Sequence, residues 1–220
     1  MKQLLLFFFV ISCALVNAQS IYMGGGYSIP SGSFSNAVST VNDGFAKSGN
    51  YFSLSIYYPV KNKLFLYVET GISSQGIQGD NLAKATGSSQ GIVTVNVKEK
   101  WKANTTLAGL GFMLPRGRWN YGVRLMAGFI TLNSPDYVTV YVYPSNTGAD
   151  LHQSEAVSSL AFALGISVSY DILENFVLTA GLDNVNSSFH FKRNYNSSNQ
   201  QFNDVNYEVF RPGLSLGYRF

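Results

Sequence analysis

Phe210-Arg211-Pro212-Gly213-Leu214-Ser215-Leu216-Gly217-Tyr218-Arg219-Phe220 closes the chain and alternates without interruption. Phe210, Pro212, Leu214, Leu216, Tyr218 and Phe220 share one face; Arg211, Gly213, Ser215, Gly217 and Arg219 share the other. Successive side chains of a strand point to opposite sides. This is therefore a strand with one bulky apolar face and one face of small or charged residues. The pattern recurs over 176–182, 160–170, 119–129, 108–114, 64–72 and 52–58, and more weakly over 23–29. Eight strands result.

Their connections alternate in length. Short turns at 59–63, 115–118 and 171–175 alternate with long polar connections near 30–50, 74–103, 133–156 and 192–205. Short turns at one end and long loops at the other are the arrangement of barrels that cross an outer membrane. A soluble β-sandwich also alternates, but its solvent face carries charge. Here the second face is mostly Gly, Ser, Ala and Thr, which suits the interior of a narrow eight-stranded barrel. Tyr58, Trp119, Tyr121, Tyr170 and Phe176 gather beside the short turns, with Tyr218 and Phe220, as an aromatic girdle at one membrane interface. The predicted fold is all-β: an eight-stranded antiparallel up-and-down transmembrane β-barrel.

Composition agrees. Of 220 residues 12% are charged, about half the ~25% of soluble domains, while 15% are aromatic. Few charges and many aromatics exclude disorder. A net charge of +3 from scattered basic residues gives no nucleic-acid footprint. Cys13 is the only cysteine, which excludes disulfide frameworks, thiolate metal sites and cysteine catalysis in the mature protein. No phosphate loop, EF-hand or His/Cys cluster is present, so no cofactor is expected. Residues 1–18 read as a secretory signal peptide: Met1-Lys2-Gln3, an apolar run from Leu4 to Val16, and Val16-Asn17-Ala18 at the cleavage site. Val10-Ile11-Ser12-Cys13 only loosely fits a lipidation box, because the apolar run continues past Cys13. Residues 19–220 form the barrel domain.

The whole mature chain resembles the eight-stranded OmpA/OmpX-like outer-membrane barrels of Gram-negative bacteria. The resemblance implies residence in the outer membrane, contact with its lipid and lipopolysaccharide, and a non-enzymatic role. It also implies that Leu214, Leu216, Tyr218 and Phe220 form the terminal signal read by the barrel assembly machinery during insertion. The chain ends at the last strand, so a periplasmic domain of the kind that follows the OmpA barrel is not expected.

Glu69, Arg124, Asp183 and Arg211 fall on the small-residue face, away from strand ends. Buried charge needs partners. Glu69 and Arg124 count to similar heights, as do Asp183 and Arg211, which predicts two ion pairs or one network plugging the lumen. The resemblance implies the same kind of network, serving as a structural plug or a gate. Residues 92–97 and 137–143 have strong strand propensity, and the expectation is a sheet protruding beyond the barrel, able to recruit a surface protein or host partner through its edge. Lys98, Lys100, Lys102, Lys192 and Arg193 mark an outer rim where lipopolysaccharide phosphate could bind. His152 and His190 are the only histidines, and neither sits in the motif of lipid A deacylase barrels. The sequons at Asn104, Asn186 and Asn196 carry no weight in such a membrane. Val185, Phe189 and Phe191 fall out of phase with the strand before them and predict a bulge beyond Asp183. The expected role is structural or adhesion-like, through the outer loops. A narrow channel or small hydrophobic-ligand carrier is the second reading, and a lipid A-modifying enzyme the third.

Overall fold

The computed structural model describes residues 20–36, 44–61, 63–86, 92–97, 100–143, 146–152, 154–193 and 201–220. The signal peptide, Cys13, Lys98 and Asn196 lie outside these, as do the side chains of His152, Lys192 and Arg193. Eight strands close into a ring: β1 (Ser20–Pro30), β2 (Ala46–Lys61), β3 (Leu64–Ile77), β5 (Trp101–Arg116), β6 (Trp119–Asn133), β9 (Ala156–Asp171), β10 (Phe176–Arg193) and β11 (Gln201–Arg219). Each pairs antiparallel with its neighbours. The ring closes where β1 meets β11, from Ser20↔Arg219 to Pro30↔Val209. Three further strands, β4 (Ile92–Val97), β7 (Tyr137–Tyr143) and β8 (Asn146–His152), form a separate sheet in the order β4-β7-β8. Two helices interrupt the long connections: α1 (Gly32–Ser35) and α2 (Gly79–Thr86).

The short turns are tight for local reasons. Between β5 and β6, Arg116 pairs Trp119 across Gly117-Arg118, and Gly117 has φ +66°. A glycine at positive φ in the first of two loop positions is what a type II′ hairpin requires.

Along the middle of the barrel the apolar face points outward. On β6, Trp119, Tyr121, Val123, Leu125 and Phe129 are each about half or more exposed, and on β9 Leu160, Phe162, Leu164 and Ile166 match them. A rise of ~3.3 Å per residue and a tilt of about 40° make the span from Trp119 to Phe129 roughly 25 Å high, the height of a bilayer-facing band. Such a surface in water would be an aggregation hazard; in lipid it is the matched surface. No described helix is long and apolar enough to cross a membrane.

Above this belt the pattern inverts. Val185, Phe189 and Phe191 of β10 and Val205, Tyr207 and Val209 of β11 are buried inside, while Asn186, Ser188, Asp204 and Asn206 face out. The bulge expected beyond Asp183 is absent: β10 runs against β11 in one register from Phe176↔Tyr218 to Arg193↔Gln201. The phase of the strand never changes. Its surroundings do, from lipid outside to water outside, so the apolar residues change sides.

Candidate functional site

The barrel interior is built in layers. At the short-turn end lies an aromatic layer. Tyr57 packs on Tyr22, Phe65 and Tyr67 with ring centroids 4.5, 4.9 and 4.7 Å apart. Small residues on the neighbouring strands make room: a side chain at Gly111 would collide with the Phe65 ring, and one at Gly217 with Tyr22.

Next comes the ionic layer, and it gathers all four charges singled out from the sequence. Arg124 Nε and Nη2 donate to Asp183 Oδ1 at 3.0 and 2.8 Å, and Nη2 also reaches Oδ2 at 2.8 Å. Arg211 Nη2 donates to Glu69 Oε1 at 3.1 Å. All four side chains are nearly fully buried. The pairing therefore crosses the one that strand heights predict. In register Asp183 does lie opposite Arg211, but Asp183 also lies beside Gly165, which lies beside Arg124. Gly165 presents no side chain, so the Arg124 guanidinium passes over it to Asp183. Arg211 is then free to reach the strand of Glu69. In a barrel this narrow the facing wall is as near as the next strand but one.

Tyrosines join the two pairs. Arg124 Nη1 donates to the Tyr57 hydroxyl at 3.0 Å, and the Tyr67 hydroxyl donates to Glu69 Oε2 at 2.6 Å. Arg124 Cζ sits 4.8 Å from the Tyr67 ring centre, and Arg211 Cζ 5.4 Å from that of Tyr51. A cation over an aromatic face is stabilised by the ring quadrupole. The cavity left in this layer is about 30 Å³, space for about one or two waters.

The third layer is polar and was not singled out from the sequence. Gln75 Nε2 donates to Ser28 Oγ at 2.6 Å and to Ser73 Oγ at 3.1 Å, and Ser73 and Tyr207 share a 3.3 Å hydroxyl contact. Its members are common residue types scattered over three strands, so no local spacing marks them.

The top is closed by an apolar plug. Phe34 of α1 is fully buried, 5.4 Å from the Trp101 ring centre and 4.9 Å from that of Tyr207. Its two ring partners are packed in turn, Trp101 on Phe191 at 5.9 Å and Tyr207 on Phe189 at 6.2 Å, and Ile130 and Leu132 are fully buried in the same core. The connection carrying Phe34 is tied down: Ser31 N donates to Glu208 O at 2.8 Å, Trp101 Nε1 to Gly44 O at 2.9 Å, and Gln78 Nε2 to Ser35 O at 2.9 Å. The sequence marks this stretch only as a long polar connection. Phe34 stands alone within Ser31-Gly32-Ser33-Phe34-Ser35 and gives no period to read.

Outside, Tyr58, Trp119, Tyr121, Tyr170 and Phe176 ring the short-turn end. Trp119 packs on Tyr170 at 4.8 Å and Phe176 on Tyr218 at 5.3 Å. Leu214, Leu216, Tyr218 and Phe220 face outward beside them. At the long-loop end β4 pairs β7 from Ile92↔Val142 to Val97↔Tyr137, and β7 pairs β8 from Tyr137↔His152 to Tyr143↔Asn146. Asn146–His152 was not foreseen as a strand, because Thr147 is its one β-branched residue and Asn146, Gly148 and Asp150 are poor strand formers. Phe45, Leu82 and Tyr137, with Ile77 and Val97, anchor this sheet and α2 to the rim. Lys100 and Lys102 are exposed nearby. His190 Nδ1 lies 2.5 Å from Asp204 Oδ1 on the outer wall. The neighbouring Ser188 hydroxyl donates to Asn206 at 2.8 Å rather than to His190.

No protein-family model matches the chain, and no curated protein matches it in sequence. Solved structures match its shape. Neisserial surface protein A (NspA) superposes with a TM-score of 0.52 at 11% identity, over 91% of this chain and 96% of that one. The outer membrane protein OprG from Pseudomonas aeruginosa gives 0.50 at 11% identity, over 93% and 98%. The chain has the fold of the small eight-stranded outer-membrane β-barrels, with a lipid-facing belt of its own to match.

Proposed function

We propose that this protein is an integral outer-membrane barrel with a structural or surface-interaction role, exercised through its extracellular loops rather than through its lumen. The observation that carries this reading is double closure. The ionic layer fills the mid-barrel, and the Phe34 plug fills the top. Meanwhile the outer connections build a second anchored sheet, in which β4 and β8 each have one strand partner among the described residues. Sheet edges can accept an added strand, which makes this sheet the proposed contact for a surface or host protein. Lys100 and Lys102 are the proposed contacts for lipopolysaccharide phosphate. Leu214, Leu216, Tyr218 and Phe220 are the proposed signal for the assembly machinery.

A channel or carrier of small hydrophobic ligands would need a continuous apolar path, and Glu69, Arg124, Asp183 and Arg211 interrupt it. Planar-bilayer recording on the purified protein separates the readings. Baseline conductance is expected; a stable open channel would overturn the closed-lumen role. Removing β4, β7 and β8 is expected to abolish adhesion to cells or matrix while leaving the barrel folded, and unchanged adhesion would refute the role of the sheet.

A further inference from the structure

The barrel wall is not evenly zipped. At the long-loop end β6 and β9 stay paired up to Asn133↔Ala156, and β10 and β11 up to Arg193↔Gln201. β9 and β10, however, part after Ala161↔Ser187. Ser187 secures the parting, since its hydroxyl donates to the Leu160 carbonyl at 2.7 Å. A cleft of about 490 Å³ opens on the wall at this point. Its floor is Leu160 and Phe162, 59% and 63% exposed, at the upper edge of the lipid belt. Its walls are Asn186, Ser188, Asn206 and Glu208.

The two halves call for different chemistry. The floor continues the surface that meets acyl chains. The walls stand where headgroups lie, and no cation is among the described residues lining them. Ser188 donates to Asn206 Oδ1, and Asn186 Nδ2 donates to Asn184 Oδ1. This leaves an amide donor on Asn206 and an amide acceptor on Asn186 without partners among the described residues. Neighbouring hydroxyls, each both donor and acceptor, complement such a pair, whereas the Glu208 carboxylate repels phosphate.

We propose that the cleft between β9 and β10 binds a lipid with a neutral sugar headgroup, its acyl chain on Leu160 and Phe162 and its hydroxyls on Asn186 and Asn206. The proposal rests on the membrane-barrel reading and is independent of whether the lumen conducts.

The protein folded in dodecylphosphocholine and titrated with dodecyl maltoside tests it, read by native mass spectrometry. One saturable maltoside adduct is expected. Asn186→Ala with Asn206→Ala is expected to weaken it about tenfold or more, and Leu160→Ser to weaken it as well. A band that moves on boiling shows that each variant is folded. The proposal is overturned if no saturable adduct forms or if both variants bind as the parent does. It is also overturned if free maltose binds equally well, or if phosphatidylglycerol competes with equal affinity. A parent chain without the boiling shift would instead overturn the membrane-barrel reading, and this proposal with it.

Discussion

Arg124, Gly165, Asp183 and Arg211 lie on one rung of the ladder, on four consecutive strands of the ring. Asp183→Ala would strand the Arg124 guanidinium in a buried site, which costs about 3–5 kcal/mol; the urea midpoint of the refolded protein measures it. Replacing both partners, Arg124→Met with Asp183→Leu, is expected to be far milder, because no charge is left unpaired. Gly165 gives a sharper test. A Cβ there would run into Asp183 Oδ1 and lie 2.6 Å from Arg124 Nε. Gly165→Ala is expected to destabilise by roughly the loss of the pair, about 3 kcal/mol, and by much less in an Asp183→Ala background. Additive effects in that cycle would mean that Gly165 serves the backbone and not the ion pair.

At the scale of elements, the small sheet and the barrel are separable. Among the described residues β4, β7 and β8 pair only with one another, so a variant lacking them is expected to keep the barrel's resistance to unfolding in detergent. Loss of that resistance would mean the sheet supports the wall. The eight barrel strands were legible from alternation because lipid outside and a narrow lumen inside impose period two with opposite chemistry on the two faces. That signal fails where the surroundings change. Beyond Asp183 the continuous strand β10 mimics a bulge, since Val185 and Phe189 are core residues of a part that stands in water. Phe34 and Gln75 were not legible at all. A single plug residue and a hydrogen-bonded hub have no repeat, and only the closed ring brings them together. The four charges were legible as a group but not as pairs, because the choice between Arg124 and Arg211 for Asp183 depends on the absent side chain of Gly165.

The whole molecule is a tube closed twice in series. Phe34→Ala removes the upper seal and leaves the ionic layer, so its conductance is expected to stay at baseline. Combining it with Asp183→Ala opens both levels and is expected to give measurable current in planar bilayers. Current from the Phe34 variant alone would mean that the ionic layer does not seal. These expectations all stand on the outward face of 119–129 and 160–170 being a lipid surface. The most direct measurement of that is electrophoresis of the mature protein from the outer-membrane fraction, with and without boiling. A faster unboiled band in that fraction is the expected result. Recovery in the soluble periplasm with no shift would contradict it, and would make the exposed apolar belt the face of some other contact.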